Sequence, residues 1–284
     1  MRRHVSRWVW WILLCGPAAC SPELSGVGVA AEPDGADGGE DWLARTEPPE
    51  ARPDAGPVDH LELARGHQSR GDHAAALLEF EKMLHDDPAN YTAALLHGVC
   101  ARRAGRPQVA VDAWLLAATL RPGAEEPWLN LAELTFERGD LVEAEQLVLR
   151  ALALRPDRAR GHSLHGRIWL ARSHWQRAIA AFQRALELAP GSLHARNNLG
   201  LALIRRRDFQ RAVEVLEPLG EEPRAKAYML NNLGLAYEGA GRLPDASSTF
   251  RRALDRAPRY LKAQLNLARL TEIALRHEPN EHGE

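Results

Sequence analysis

Large apolar residues recur along this chain at a spacing of 34, and small residues keep step with them. Counting units from Pro57, the twenty-fourth place holds Phe80, Trp114, Val148, Phe182, Leu216 and Phe250. The twentieth holds Ala76, Ala110, Ala144, Ala178, Ala212 and Ala246, and the eighth holds Ala64, Gly98, Ala132, Gly166, Gly200 and Gly234. Leucines fill the seventh place at Leu63, Leu131, Leu199 and Leu233. Two antiparallel helices reach the short end of the usual interaxial range only where the crossing residues are small, with bulky neighbours filling the space beside the crossing. Each unit therefore reads as a pair of helices. Glycine at Gly71, Gly105, Gly139 and Gly241 marks the turn inside a pair, and prolines at 88, 122, 156, 190 and 258 stop the second helix. Only the place at 224 is missed.

A fixed period of this length, without insertions, predicts a stack in which each unit buries its apolar face on its neighbours. The units are 57–90, 91–124, 125–158, 159–192, 193–226 and 227–260. The last reads Leu233-Gly234, Tyr237, Gly241, Ala246, Phe250, Ala253, Pro258, and in this order the residues resemble the tetratricopeptide repeat. That resemblance implies an all-α, right-handed α-solenoid of six helix-turn-helix units over residues 57–276. The stretch 261–276 adds one further first helix, expected to be a polar-faced cap. Pro218 within the second helix of the fifth unit, with Gly220 and Pro223 after it, is expected to loosen that joint.

Composition adds a soluble character, with 26% charged residues and a formal net charge of −2. The pI near 6.6 and the lack of a long Lys/Arg block argue against nucleic acid as a partner. The first 19 residues read as an export signal: Arg2, Arg3 and Arg7 precede an apolar run from Trp8 to Leu14 that is too short to span a bilayer comfortably. Ala18-Ala19-Cys20 after that run resembles the lipobox of bacterial lipoproteins, with Pro17 where that pattern has an aliphatic residue. The resemblance implies lipidation at Cys20, hence a membrane partner through the lipid and a place in the bacterial cell envelope, at the outer membrane facing the periplasm. Residues 20–56 are rich in Gly, Pro and Ala. From Ser21 to Gly56 nine acids stand against Arg45 and Arg52, so the segment is predicted to be an acidic, disordered linker with an end-to-end distance of about 30–35 Å. Residues 277–284 are predicted to be a disordered tail.

The sequence holds no catalytic constellation. The run from Gly26 to Ala31 mimics a dinucleotide fingerprint but sits in the linker with no strand before it. Ser163, in Gly161-His162-Ser163-Leu164-His165-Gly166, falls inside a helix rather than on a strand-to-helix turn. Of twelve histidines, His162 and His165 share a helix face, yet His97 and His165 take the seventh, packing place, and no third metal ligand is implied. Cys100, at the tenth place, reads as a core residue. No cofactor, metal or enzymatic activity is expected.

In the family that the repeats resemble, first helices line the concave surface, and the second, fifth, sixth, ninth, twelfth and thirteenth places look into it. The sixth place holds Asn130, Asn198, Asn232 and Asn266. A primary amide both donates and accepts, so it can bracket an extended peptide backbone, or else bond to a neighbouring helix. Arg65, Arg102, Arg103, Arg167, Arg205 and Arg269 would share that groove, with Leu201, Ile204 and Leu235 as apolar neighbours, of which the ninth-place Leu201 and Leu235 are expected to be exposed. The expected function is a non-catalytic scaffold holding a partner protein's peptide or helix in the groove of the fifth and sixth units. Two alternatives stand beside it: an envelope assembly factor resembling the type IV pilus pilotin lipoproteins, and a histidine-based metal-binding protein.

If Cys20 carries the anchor, Cys20→Ser should abolish incorporation of a labelled fatty acid in a host that processes lipoproteins. Labelling that survives the substitution places the lipid elsewhere.

Overall fold

The structure, a computed structural model, describes residues 59–277. The expected signal at 1–19, Cys20, the linker at 20–56 and the tail after 277 lie outside the described residues. Among those described there are thirteen α-helices and no strand. The helices come in pairs: α1 (His60–Ser69) with α2 (His73–Asp86), α3 (Tyr91–Arg103) with α4 (Pro107–Leu120), and α5 (Glu126–Glu137) with α6 (Leu141–Leu154). Then follow α7 (Ala159–Ala171) with α8 (Trp175–Leu188), α9 (Leu193–Arg205) with α10 (Phe209–Glu221), α11 (Ala227–Gly239) with α12 (Leu243–Arg256), and α13 (Leu261–His277). The all-α solenoid expected from the repeat is what the chain forms.

Local chemistry sets these boundaries. The side chains of Asp59, Asp72, Asn90, Asp140 and Ser192 accept from backbone N–H groups in the first turns of α1, α2, α3, α6 and α9. Helices α2, α4, α6, α8 and α12 end two residues before Pro88, Pro122, Pro156, Pro190 and Pro258. Helix α10 keeps the rule, since it runs through Pro218 to Glu221 and stops two residues before Pro223. The gap at 224 is thus a displaced stop. The end of α10 is braced from the next unit: Arg252 of α12 donates to the carbonyl of Gly220, and Arg256 to those of Glu222, Pro223 and Ala225.

The eighth, twentieth and twenty-fourth places form the crossing inside each pair. All six twentieth-place alanines are fully buried, as are Phe80, Phe182, Leu216 and Phe250. A Cβ added to Gly98 would lie 2.3 Å from the Trp114 indole nitrogen, at Gly166 2.6 Å from the Phe182 ring, and at Gly200 2.3 Å from Leu216. Trp114 is held further by donating to the Leu95 carbonyl at 3.2 Å. Each first helix packs on its own second helix and on the second helix before it, and successive first helices from α3 to α13 also touch each other directly. First helices therefore form one continuous inner rank. Cys100 is buried as expected, with Gln68 Nε2 donating to its sulfur at 3.0 Å, and burial raises its thiol pKa.

One expectation fails at the end of the stack. The outer face of α13 is mixed rather than polar, because Leu261, Leu265 and Leu275 are each 60–65% exposed on it beside Gln264, Thr271, Glu272 and Arg276. The three leucines occupy one stripe of the helix, beside Ala268.

Substitution at the crossing should separate packing from helix propensity. Gly234→Ala improves propensity by about 1 kcal/mol, but its Cβ would sit 2.5 Å from the Phe250 ring. The net effect in urea unfolding should be a loss of about 1–3 kcal/mol. Gly220→Ala, whose Cβ meets nothing nearer than Leu233 at 3.5 Å, should be neutral or stabilising by about 0.5–1 kcal/mol.

Candidate interaction surface

The inner rank of first helices carries two different constructions. Across α3, α5 and α7 it is ionic. Glu133 of α5 lies 2.8 Å from Arg160 and 3.2 Å from Arg167 of α7, and 3.9 Å from Arg102 of α3. Arg102 also reaches Glu137 at 3.1 Å, Arg160 donates to Asn130 Oδ1 at 2.8 Å, and Arg167 lies over the Phe136 ring. Burial alone would raise the carboxyl pKa of Glu133. The guanidiniums of Arg160 and Arg167 outweigh it and bring the value down to about 2.

Across α9, α11 and α13 the rank is joined by amides. Asn232 Nδ2 donates to Asn197 Oδ1 at 2.9 Å, and one unit later Asn266 Nδ2 donates to Asn231 Oδ1 at 2.9 Å. Within α9, Asn197 Nδ2 donates to Asn198 Oδ1 at 3.3 Å. The corresponding atoms in α11, Asn231 Nδ2 and Asn232 Oδ1, are buried without a partner. Arg269 of α13 pairs with Glu238 of α11 at 2.6 Å and reaches Asn266 Oδ1 at 3.4 Å.

The structure thus separates the residues that sequence reasoning had grouped. Asn130, Asn198, Asn232 and Asn266 are all at least nine-tenths buried, and each bonds to another side chain. Leu201 and Leu235, expected to be exposed, are 1% and 6% exposed. The reason is that adjacent first helices touch here, so the ninth place lies in their contact rather than on open groove. Arg167 and Arg269 are matched by Glu133 and Glu238, while Arg205 is exposed at the end of α9. Sequence reasoning missed Arg160, Glu133 and Glu238, and also Asn197 and Asn231 as acceptors. The fifth-place asparagines were visible as Asn-Asn pairs, but their partners were not.

The histidines disperse. His165 lies 3.5 Å from Glu145 and His162 lies 2.8 Å from the Pro156 carbonyl, so the two that share a face turn to different groups. Among the described residues no group of three or more His, Cys, Asp or Glu side chains is placed to hold a metal.

Sequence comparison agrees with this geometry. A tetratricopeptide repeat profile matches residues 61–127, 164–218 and 231–274, and a second profile of the same description matches 115–168. The chain belongs to the tetratricopeptide repeat family. No curated protein matches the sequence. Among solved structures, a chain of the APC/C hetero-tetramer Cut9-Hcn1 superposes with a TM-score of 0.66 at 21% identity, over 74% of this chain. This chain spans only 42% of that one. PilF of Pseudomonas aeruginosa gives 0.65 at 20% identity, over 74% of this chain and 96% of that one. YrrB, described as a TPR protein with an unusual peptide-binding site, gives 0.53 at 17% identity, over 66% of this chain and 96% of that one. At these identities the likeness establishes the fold. The repeats make this chain a protein-interaction scaffold of that family.

The amide bonds make a direct prediction. Asn232→Ala removes the donor to Asn197 Oδ1 and leaves a buried acceptor unpaired, which should cost about 1–3 kcal/mol in denaturant unfolding. Arg205→Ala, at an exposed site, should change stability by no more than about 0.5 kcal/mol. Equal effects from the two substitutions would remove the structural role of the amides.

Proposed function

We propose that this protein is an exported, lipid-anchored adaptor of a bacterial cell envelope that holds an acidic peptide or helix of a partner protein against its concave surface. The observation that carries this reading is the meeting of Arg102 of α3 with Arg160 and Arg167 of α7 at Glu133 of the first helix between them. Arg102 and Arg160 each carry five N–H donors, of which the bonds to Glu133, Glu137 and Asn130 use only some. Arg102 and Arg160 are each about a quarter exposed, so solvent reaches them. A partner's side-chain carboxylate or C-terminus would meet charge-assisted, directional donors there. The groove of units two to four is therefore favoured over that of units five and six, whose amides are engaged between helices.

Anchoring rests on the lipobox-like residues that end at Cys20. Among the described residues no helix is long and apolar enough to cross a membrane, so the membrane contact in this reading comes from the lipid. A narrower reading, an envelope assembly factor of the pilotin kind, draws support from the extent of the fold match to PilF, which spans 96% of that chain. The histidine-based metal reading has no such support.

The test is cross-linking of the anchored, full-length protein in its membrane, followed by mass spectrometry, with the parent compared to Arg160→Ala. Loss of one charge-assisted bond should lower recovery of the specific partner by roughly tenfold or more, with the melting temperature checked in parallel. Undiminished recovery would exclude the arginine cluster as the contact.

A further inference from the structure

Charge divides this chain into two parts of opposite sign. Residues 59–277 carry 31 lysines and arginines against 26 aspartates and glutamates, while residues 20–58 carry two against nine. The acids gather between Asp34 and Glu50, where Asp34, Asp37, Glu40, Asp41, Glu47 and Glu50 stand against Arg45 alone. This segment joins the solenoid at Asp59, the N-cap of α1, and α1 belongs to the same rank of first helices as Arg102, Arg160 and Arg167. At about 8–10 Å per packed helix, α3 is one step from α1, and α7 is three steps away, about 25–30 Å. Glu50 and Asp34 precede Asp59 by 9 and 25 residues. Treated as the flexible coil that the composition predicts, such lengths have end-to-end distances of about 15–30 Å. The acids and the arginine cluster are therefore matched in reach as well as in sign. The basic run Arg205-Arg206-Arg207 at the end of α9 is a poorer match, because α9 lies four steps from α1, about 32–40 Å.

We propose that the acidic segment 34–50 occupies the arginine surface of its own chain and that a partner must displace it. This inference rests on the reading of that surface as the binding face, and it adds a competitor built into the same molecule. The chemistry is the one required of the partner, since side-chain carboxylates meet the guanidinium N–H groups that Glu133, Glu137 and Asn130 leave unused. Tethering makes a weak contact count. A linker whose length matches the span gives an effective concentration on the order of 1 mM, so a contact with a Kd of about 0.25 mM as a free peptide is about four-fifths occupied within the chain. The partner's apparent Kd is then raised about fivefold. Six acids along one flexible stretch can exchange at the guanidiniums, so no single carboxylate is required, and salt weakens the contact by screening.

The probe is a fluorescent peptide of residues 34–50, titrated by anisotropy at low salt into the full-length protein in an uncharged detergent. The parent is compared with an amide variant carrying Asp34→Asn, Asp37→Asn, Glu40→Gln, Asp41→Asn, Glu47→Gln and Glu50→Gln. The peptide should bind the amide variant about fivefold more tightly than the parent, because the tethered competitor is gone. Arg160→Ala, added to the amide variant, should weaken binding by roughly tenfold, and Arg102→Ala serves in its place if the melting temperature falls. Equal binding by parent and amide variant would overturn self-occupation while leaving the arginine surface as the partner's contact, which the cross-linking comparison of parent with Arg160→Ala judges independently. Binding that survives both arginine substitutions, or no saturation up to about 1 mM in the amide variant, would overturn it as well. So would a parent dimer in sedimentation that the amide variant dissolves, since the segment would then occupy a second copy.

Discussion

Everything in this solenoid depends on the close crossing within each helix pair, where a residue without a side chain, or with only a methyl, accepts a large apolar group. Interiors are packed to crystal-like density, so a contact of 2.3–2.6 Å for an added Cβ leaves no room for gradual change. The crossing is local, formed by residues sixteen apart in the chain. Each unit can therefore vary its surface freely while the same contact repeats. That freedom is visible in the inner rank, which is ionic in one half and amide-bonded in the other.

The same locality explains what could be read from sequence. Positions eight, twenty and twenty-four carry the period because packing tolerates few residues there, and they located every helix pair and each proline stop but one. The exception was a matter of one residue, Pro223 serving where 224 was expected. The ninth place was misread. Whether it faces solvent depends on how closely one first helix approaches the next, a relation between units that no single unit encodes. Leu201 and Leu235 are buried by that approach, and Asn198 and Asn232 are committed by it. For α13 the error ran the other way, since a terminal helix was assigned a polar face although Leu261, Leu265 and Leu275 were legible as a stripe.

Departures from the repeat are met by compensation nearby. The turn inside each pair needs a left-handed residue, supplied by Gly71, Gly105, Gly139 and Gly241, but in units four and five by Ser173 and Arg207 at φ of 60° and 63°. Non-glycine residues in that conformation cost on the order of 1 kcal/mol or more. Both turns keep the bond that the glycine turns also make: His174 N donates to the Trp169 carbonyl at 2.9 Å and Asp208 N to that of Leu203 at 2.9 Å, as Arg106 N does to that of Ala101 at 2.8 Å. Arginines from α12 similarly satisfy the carbonyls that α10 leaves open near Pro218 and Pro223.

The two halves of the inner rank also differ in how they can respond to a partner. Amide bonds are directional: from Asn266 to Asn231, and from Asn232 through Asn197 to Asn198, every donor points toward the N-terminal side of the stack or its own neighbour. Moving one first helix would break such bonds outright and strand buried polar atoms. Ion pairs around Glu133 are less exacting, because Arg102, Arg160 and Arg167 approach it at distances from 2.8 to 3.9 Å without a shared geometry. In the proposed reading a partner's carboxylate would meet one of these guanidiniums while the other two keep Glu133 paired, and that is the physical reason for preferring the ionic half over the amide-bonded one as the binding face.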